Sequence, residues 1–567
     1  MSPLGAHHIE DGSSLPISRP GTGRGVSEPN LRLRFALVGL AVCGAFAAIS
    51  GQLVRLALVA QSEVSISVSD AVPQSFARPD LVDRNGRLLA TDIASPSLYA
   101  DPSIILDRDE AVEKLLTVFP DLDAAQLRAS LSDRTRRFVW IRRGLPPLIA
   151  QHVHDLGLPG LAFRNELKRT YPMGTSAGHV IGSVNIDNKG LSGIESYVDT
   201  VIGVEGVLDA TRSGKAAVRL SLDLGVQHSL ESELASALNR YQASAASGLV
   251  MDVKTGEVLG SASLPGVDPS RPHEAAAPER LDRLTAGIYE LGSIFKIVTL
   301  AMALEDGKGV YSLVDTTAPL IEGRFTIKDL HPLGRPMTVA EVFTHSSNTG
   351  AAMLALEAGP ERQHQFLSDL GLLSAISTER GGVAPPIVPQ TFDRISQITV
   401  AYGHGIAVAP LQFAAAAASL INGGVRVEPK FTFQFPGTAA VPPVRVIKAE
   451  TSARLNDLMR LNVTGASGTG RRADVPGYNV GGKTGTAEMP GRNGYQDKAV
   501  ISSFLAAFPM EKPKYLVMVS LFEPKATPET HGEITAGLNA APTAGRIIAR
   551  IGPQLGLMPA GRVAEAP

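Results

Sequence analysis

Phe35 to Val54 is an uninterrupted run of 20 residues without a charged side chain, and it limits the topology open to the rest of the chain. A helix rises about 1.5 Å per residue, so such a run is long enough to cross the roughly 30 Å hydrocarbon core of a bilayer once. Arg24, Arg32 and Arg34 precede it, whereas only Arg55 follows before Glu63 and Asp70. Basic residues favour the cytoplasmic side, so the N-terminus is expected in the cytoplasm and the chain beyond the run outside. A cleaved signal peptide is the competing reading. Ala45-Phe46-Ala47 has the small-x-small form, but it lies inside the run, and the run exceeds the usual 7–15 apolar residues, which favours an uncleaved anchor. Residues 1–34, with much Gly, Ser, Pro and His, read as a disordered tail. Gly39, Gly44, Ser50 and Gly51 would allow close contact with a membrane partner. Cys43, the only cysteine, excludes an internal disulfide or a multi-cysteine metal site and reads as a small buried hydrophobe. A formal net charge of −2 gives no reason to expect a nucleic-acid partner.

Three short motifs then occur in order: Ser293-Ile294-Phe295-Lys296, Ser346-Ser347-Asn348 and Lys483-Thr484-Gly485-Thr486. Each alone is weak, since a capping serine, a polar loop or a glycine-rich turn would explain it; their order and settings carry the signal. Ser293 opens the apolar stretch Ile294 to Leu304, expected to be a buried helix of about three turns, so it sits where unpaired N–H groups favour developing negative charge. Lys296, three residues on, shares its face. An ordinary lysine, with a pKa of about 10.4, is almost wholly protonated at neutral pH, so to act as a base it must be desolvated or placed near another cation. Lys483 is the candidate cation. Thr338 starts a helical segment that breaks at His345-Ser346, leaving Ser346 to relay a proton and Asn348 to hold a substrate backbone. Lys483, Thr484 and Thr486 would bind a terminal carboxylate, Gly485 would allow close approach, and the N–H groups of Ser293 and Thr486 would form an oxyanion hole. His345 has no metal partner at useful spacing and is read as structural; no cofactor is called for.

The fold class expected is mixed α/β. Residues 56–216 read as a non-catalytic platform with acidic helices over Asp107 to Phe119 and Asp123 to Leu131, and a strand over Phe138 to Arg143 whose Trp140 is expected to anchor the core. Residues 217–556 read as the catalytic unit: a helix from Leu224 to Ala246, a hairpin turning at Lys254-Thr255-Gly256, a largely helical middle, strands at Ala499 to Ala507 and Tyr515 to Phe522, and a last helix, Ala544 to Ile551. Residues 557–567 read as a frayed tail.

The three motifs together resemble the penicillin-binding acyl-transferases. Arg78 to Ala90, Arg169-Thr170-Tyr171-Pro172-Met173-Gly174 and Gly190-Leu191-Ser192-Gly193-Ile194-Glu195 resemble the pedestal of the class B penicillin-binding proteins. Val250 to Pro265, Tyr402-Gly403-His404-Gly405-Ile406, Pro410-Leu411-Gln412 and Asn422-Gly423-Gly424 resemble landmarks of their transpeptidase domain, an antiparallel sheet flanked by helices. Pro79 and Leu291 depart from the family, which more often has Gly and Pro there. The resemblance implies that Ser293 attacks the bond between the terminal D-alanines of a peptidoglycan stem peptide, that an amine of a second stem resolves the ester, and that β-lactams acylate the same serine. Ser347 and Phe295 match the division-type members, whereas elongation-type members tend to carry Cys and Val. With no polymerase-like domain before the platform, the resemblance also implies a membrane-embedded glycan polymerase and divisome regulators as partners.

Two rivals remain. A carboxypeptidase or β-lactamase would need a carboxylate to activate water, and Glu357 is the nearest downstream of Asn348. A sensor or scaffold would keep the site without using it.

Overall fold

The computed structural model describes residues 37, 39–52, 77–202, 217–432, 442–491 and 494–559, of which 201–202, 490–491 and 494–498 are described by their backbone alone. The chain divides into two units, residues 1–74 and 75–567. In the first, residues 37 and 39–52 are helical and exposed, Cys43 included. Among the described residues no helix is long and apolar enough to cross a membrane. The helix described over 39–52 rises only about 21 Å, because the rest of the expected Phe35 to Val54 span, like all of the tail 1–34, lies outside the described residues. The single transmembrane helix is thus not among the observed elements, and Cys43 is exposed on its helix rather than buried.

The second unit begins with a five-stranded sheet built from β1 (Asp80–Val82), β2 (Leu88–Ala100), β3 (Val139–Arg142), β4 (Leu161–Thr170) and β5 (Ala217–Arg219). The long β2 pairs with β1, β3 and β4, and β1 carries β5 parallel on its other edge. Helices α1 (Arg108–Val118) and α2 (Ala124–Ser132) start where Asp107 and Asp123 accept the first free N–H groups. Trp140 is not in the buried core; it packs edge-on against Phe138 at the half-exposed rim of the sheet.

The three pedestal segments meet in one buried ion cluster. Glu195, fully buried, lies between Arg78 at 2.9 Å and Arg169 at 2.6 Å. Arg169 also reaches Asp92 and the Pro79 carbonyl, and Arg78 reaches Asp199. Segments 117 and 26 residues apart in sequence are tied here by charge-assisted bonds.

The second sheet is wholly antiparallel. Its strands are β6 (Ala245–Asp252), β7 (Val258–Leu264), β8 (Gly481–Gly491), β9 (Gly494–Phe508) and β10 (Tyr515–Phe522), in the order β8-β9-β10-β6-β7. Alternation sorts its side chains: Leu505, Ala507, Leu516 and Met518 face one core, while Phe504, Ala506, Val517 and Val519 face the other. The second core is closed by α3 (Leu224–Tyr241) and α9 (Ala540–Gln554). α3 ends five residues before the expected Ala246, because Gln242 turns left-handed and Ala245 and Ala246 enter β6. The first core holds α4 (Lys296–Glu305), α7 (Pro410–Ile421) and α8 (Ala449–Thr464), with α5 (Val339–Thr344) and α6 (Asn348–Ala358) packed beside them. The result is helices on both faces of one sheet.

Removing the carboxylate of Glu195 strands two buried guanidinium groups. Glu195→Ala is therefore expected to cost about 3–5 kcal/mol of stability, read as a lower urea midpoint. Asp121→Ala, which breaks the exposed pair with Arg142, should leave the midpoint unchanged.

Candidate active site

The segment of Ser293, the candidate nucleophile, enters as a 3-10 turn, Gly292–Phe295, before α4 begins at Lys296. Ser293 therefore lies within a tight turn rather than capping the α-helix. Gly292 takes a positive φ of 57°, and a side chain on Gly403 would come within 2.2 Å of its carbonyl oxygen. The Tyr402–Ile406 segment thus closes over the turn only because residue 403 is glycine.

Lys296 is fully buried, and its Nζ lies 2.7 Å from Ser293 Oγ. The same nitrogen lies 2.9 Å from the Ser346 carbonyl and 2.7 Å from Asn348 Oδ1, with Ser346 Oγ further off at 3.3 Å. A carbonyl and an amide oxygen can only accept. A neutral amine has two N–H groups and one lone pair, so spending both hydrogens on those acceptors turns the lone pair toward the Ser293 hydroxyl.

The second motif is held by α5 and α6. Thr338 and Glu341 form a capping box that starts α5, and Ser347 caps α6 by accepting the Gly350 N–H. Between the helices Ser346 adopts a left-handed φ of 58°, an unfavourable state for serine that needs support from its surroundings. Asp329 gives that support: one carboxylate oxygen accepts the Ser347 hydroxyl at 2.6 Å, the other the Thr349 N–H at 2.9 Å. Sequence reasoning missed Asp329, because no spacing rule links a carboxylate to a loop so far downstream.

The third motif is on β8. Lys483 is opposite Leu505, so it points to the same face as that residue, toward α4. It is fully buried, with Nζ donating to Ser346 Oγ at 3.0 Å and to the Thr484 carbonyl at 3.1 Å, 5.9 Å from the centre of the Phe343 ring. Burial pushes its pKa down to about 7. Burial acts first on Lys296 too, and the nearby Lys483 charge second; together they hold it well below its ordinary value against the opposing pull of Asp329. At Gly485 a side chain would meet the Leu291 carbonyl at 2.5 Å, so glycine is what lets β8 lie against the nucleophile turn.

The threonines differ. The Thr484 hydroxyl donates to Thr469 at 2.7 Å, and Thr469 is held in turn by Asn462, whose amide also grips the Gly482 carbonyl at 2.8 Å. The Thr486 oxygen accepts the Ala536 N–H, and among the described residues its own proton meets no acceptor, which leaves it for a ligand. Thr469 and Asn462 also escaped the sequence reading; a buried Asn on a helix carries no sign of its partner strand.

Ser293, Ser346, Asn348, Thr484 and Thr486 line one cavity of ≈ 1070 Å³, with Lys296, Lys483 and Gly485 in the wall behind them. His345 lines it too. Glu357 does not: it pairs with Lys308 at 2.6 Å and is more than half exposed. The arrangement offers one hydroxyl beside a deprotonatable amine, a second hydroxyl bridging two amines, and a cation for an anion, which are the parts of serine acyl transfer.

Residues 246–549 match the penicillin-binding protein transpeptidase domain, and residues 73–216 the penicillin-binding protein dimerisation domain. The chain is similar to a probable peptidoglycan D,D-transpeptidase FtsI of Caulobacter vibrioides, 39% identical over 489 residues, covering 85% of this chain and 82% of that protein. It is also similar to the probable peptidoglycan D,D-transpeptidase PenA of Neisseria gonorrhoeae, 31% identical over 550 residues and covering 92% of both. The fold resembles penicillin-binding protein 3 of Mycobacterium tuberculosis, solved with aztreonam, at a TM-score of 0.64 and 23% identity over 85% of this chain and 97% of that one. By these matches the chain belongs to the penicillin-binding protein transpeptidase family.

Proposed function

We propose that this chain is a peptidoglycan D,D-transpeptidase that crosslinks stem peptides at the division septum through an acyl ester on Ser293. The observation that carries the reading is the 2.7 Å approach of a buried, low-pKa Lys296 to the Ser293 hydroxyl. Lys296 takes the proton as Ser293 Oγ bonds to the carbonyl carbon between the two terminal D-alanines. The Ser293 and Thr486 N–H groups take the negative charge on the carbonyl oxygen, each donor worth roughly 10²–10³ in rate where such holes have been tested. Breakdown passes the proton through Ser346 Oγ to the departing amine, and Lys483 with the Thr486 hydroxyl holds the departing carboxylate. An acceptor amine then attacks the ester carbonyl, a C–N bond replaces the C–O bond, and its proton returns to Ser293 along the same route. Asn348 holds both Lys296 and the donor backbone. A β-lactam carbonyl is attacked in the same way.

The 20-residue apolar run and the arginines before it support a single-pass anchor with the enzyme on the outer face of the cytoplasmic membrane. On that reading residues 1–34 are cytoplasmic, 35–54 the anchor, 56–216 the pedestal, 217–556 the transpeptidase domain and 557–567 a tail. The family matches over 73–216 and 246–549 support the two larger bodies. The septal role rests on the FtsI relative and on Ser347 and Phe295, and a membrane-embedded glycan polymerase with divisome regulators is the partner set it implies. Against hydrolysis stands the outward-facing Glu357.

Intact-mass analysis after incubation with a labelled penicillin should show one adduct, mapping to Ser293, and none in Ser293→Ala. An adduct retained in that variant would overturn the assignment. Glu357→Gln should leave release of the bound label unchanged, whereas slower release would favour the hydrolase.

The two lysines set opposite limbs of a pH profile. The second-order acylation constant reports the free enzyme. It should rise with pH as Lys296 becomes neutral, then fall above about 7 as Lys483 loses its proton and the carboxylate loses its cation. In Lys483→Arg the permanently charged guanidinium should abolish the falling limb while lowering the rate. Persistence of that limb would exclude Lys483 as its source.

A further inference from the structure

The cleft continues past Thr484 to Arg471 and Arg472, which the motifs leave unused. Both are exposed, on the 3-10 turn Arg471–Ala473. Among the described residues neither meets a carboxylate: Arg471 reaches only the Ala466 carbonyl, and Arg472 only the His531 ring. Asp474, the carboxylate in the same wall, is already neutralised by Arg460 at 2.7 Å. The rest of the lining includes His331 and His345 and, apart from Asp474, no acidic side chain. Two adjacent guanidinium groups thus stand unpaired at the mouth of the site.

The turn that carries them is fixed to the catalytic strand. Thr469, two residues before Arg471, receives the Thr484 hydroxyl and is held by Asn462, which also grips β8. Ala473 is fully buried in the core against α9, where Gly545 leaves it room. The arginines are therefore set at a fixed offset from Thr484, on the side where the departing D-alanine carboxylate is held. By microscopic reversibility the acceptor amine enters where that amine leaves. Lys483 and Thr486 already account for one carboxylate, so a second anion is needed to match the second cationic centre.

We propose that Arg471 and Arg472 form an acceptor subsite that binds a further carboxylate on the incoming amine, so that the enzyme selects anionic acceptors. The proposal rests on the transpeptidase reading of the same cleft. Guanidinium forks pair with carboxylates through parallel N–H bonds, and at an exposed site lining a cleft such a pair corresponds to about a tenfold preference that salt weakens.

The test uses the full chain, a small thioester donor that acylates Ser293, and two acceptors of equal length, D-2-aminoadipate and its side-chain amide. Partition of the acyl group between water and each amine is measured. Wild type should transfer to the acid about tenfold better than to the amide, and the advantage should shrink as salt is raised. Arg471→Gln/Arg472→Gln should lose the preference, with transfer to the amide and acylation by labelled penicillin unchanged. Arg471→Lys/Arg472→Lys should keep part of it. Equal transfer to both acceptors by wild type, a preference insensitive to salt, or a preference that survives in the double Gln variant would overturn the subsite. Failure of the donor to acylate wild type would instead overturn the reading beneath it.

Discussion

Two buried amines sharing one hydroxyl govern this site. Lys296 and Lys483 are both fully buried, and among the described residues neither forms an ion pair with a carboxylate. Burying an unpaired ammonium is costly, and a lysine escapes the cost by giving up its proton. The same burial that makes these side chains expensive holds both well below the ordinary lysine range, with Lys296 pushed further by the Lys483 charge. Ser346 Oγ lies between them, 3.3 Å from one and 3.0 Å from the other, so charge on either is felt along a single short chain of hydrogen bonds.

Holding that pair requires close approach of three elements from different parts of the chain. β8 is pressed against the 3-10 turn of Ser293 because Gly485 has no side chain, and the 400s loop is pressed on its other side because Gly403 has none. Ser346 is kept in a left-handed conformation by neighbours pinned to Asp329. Strain placed at Ser346 is balanced by hydrogen bonds one and three residues further on, which hold the loop in its conformation. The pedestal uses the same approach at larger scale, since Glu195 gathers Arg78 and Arg169 from two distant segments into one junction.

Much of this was legible in local pattern. The helices starting after Asp107, Asp123 and Asp223 and the last two strands of the chain follow from caps, alternation and turns, which act over a few residues. Errors fell where a local signal was ambiguous. Alanines 245 and 246 suit a helix as well as a strand, and only pairing with β10 decides between them. Trp140 is apolar enough for a core, but its strand lies at the sheet edge, so it stays partly exposed. Asp329, Thr469 and Asn462 were invisible because each acts through a partner that only folding brings near.

The sequence by itself determined which groups are available: a serine with a lysine one turn on, a second serine with an amide, a lysine between glycine-bearing strand positions, and an apolar run of bilayer length. Those are properties of residue type and short spacing, and they name a chemistry. Tertiary structure decided that the groups meet, which amine faces the Ser293 oxygen, which threonine keeps a free proton, and that Glu357 looks outward. Proton affinity and hydrogen-bond direction depend on burial and on neighbours within a few ångströms, and most of those neighbours are far away along the chain.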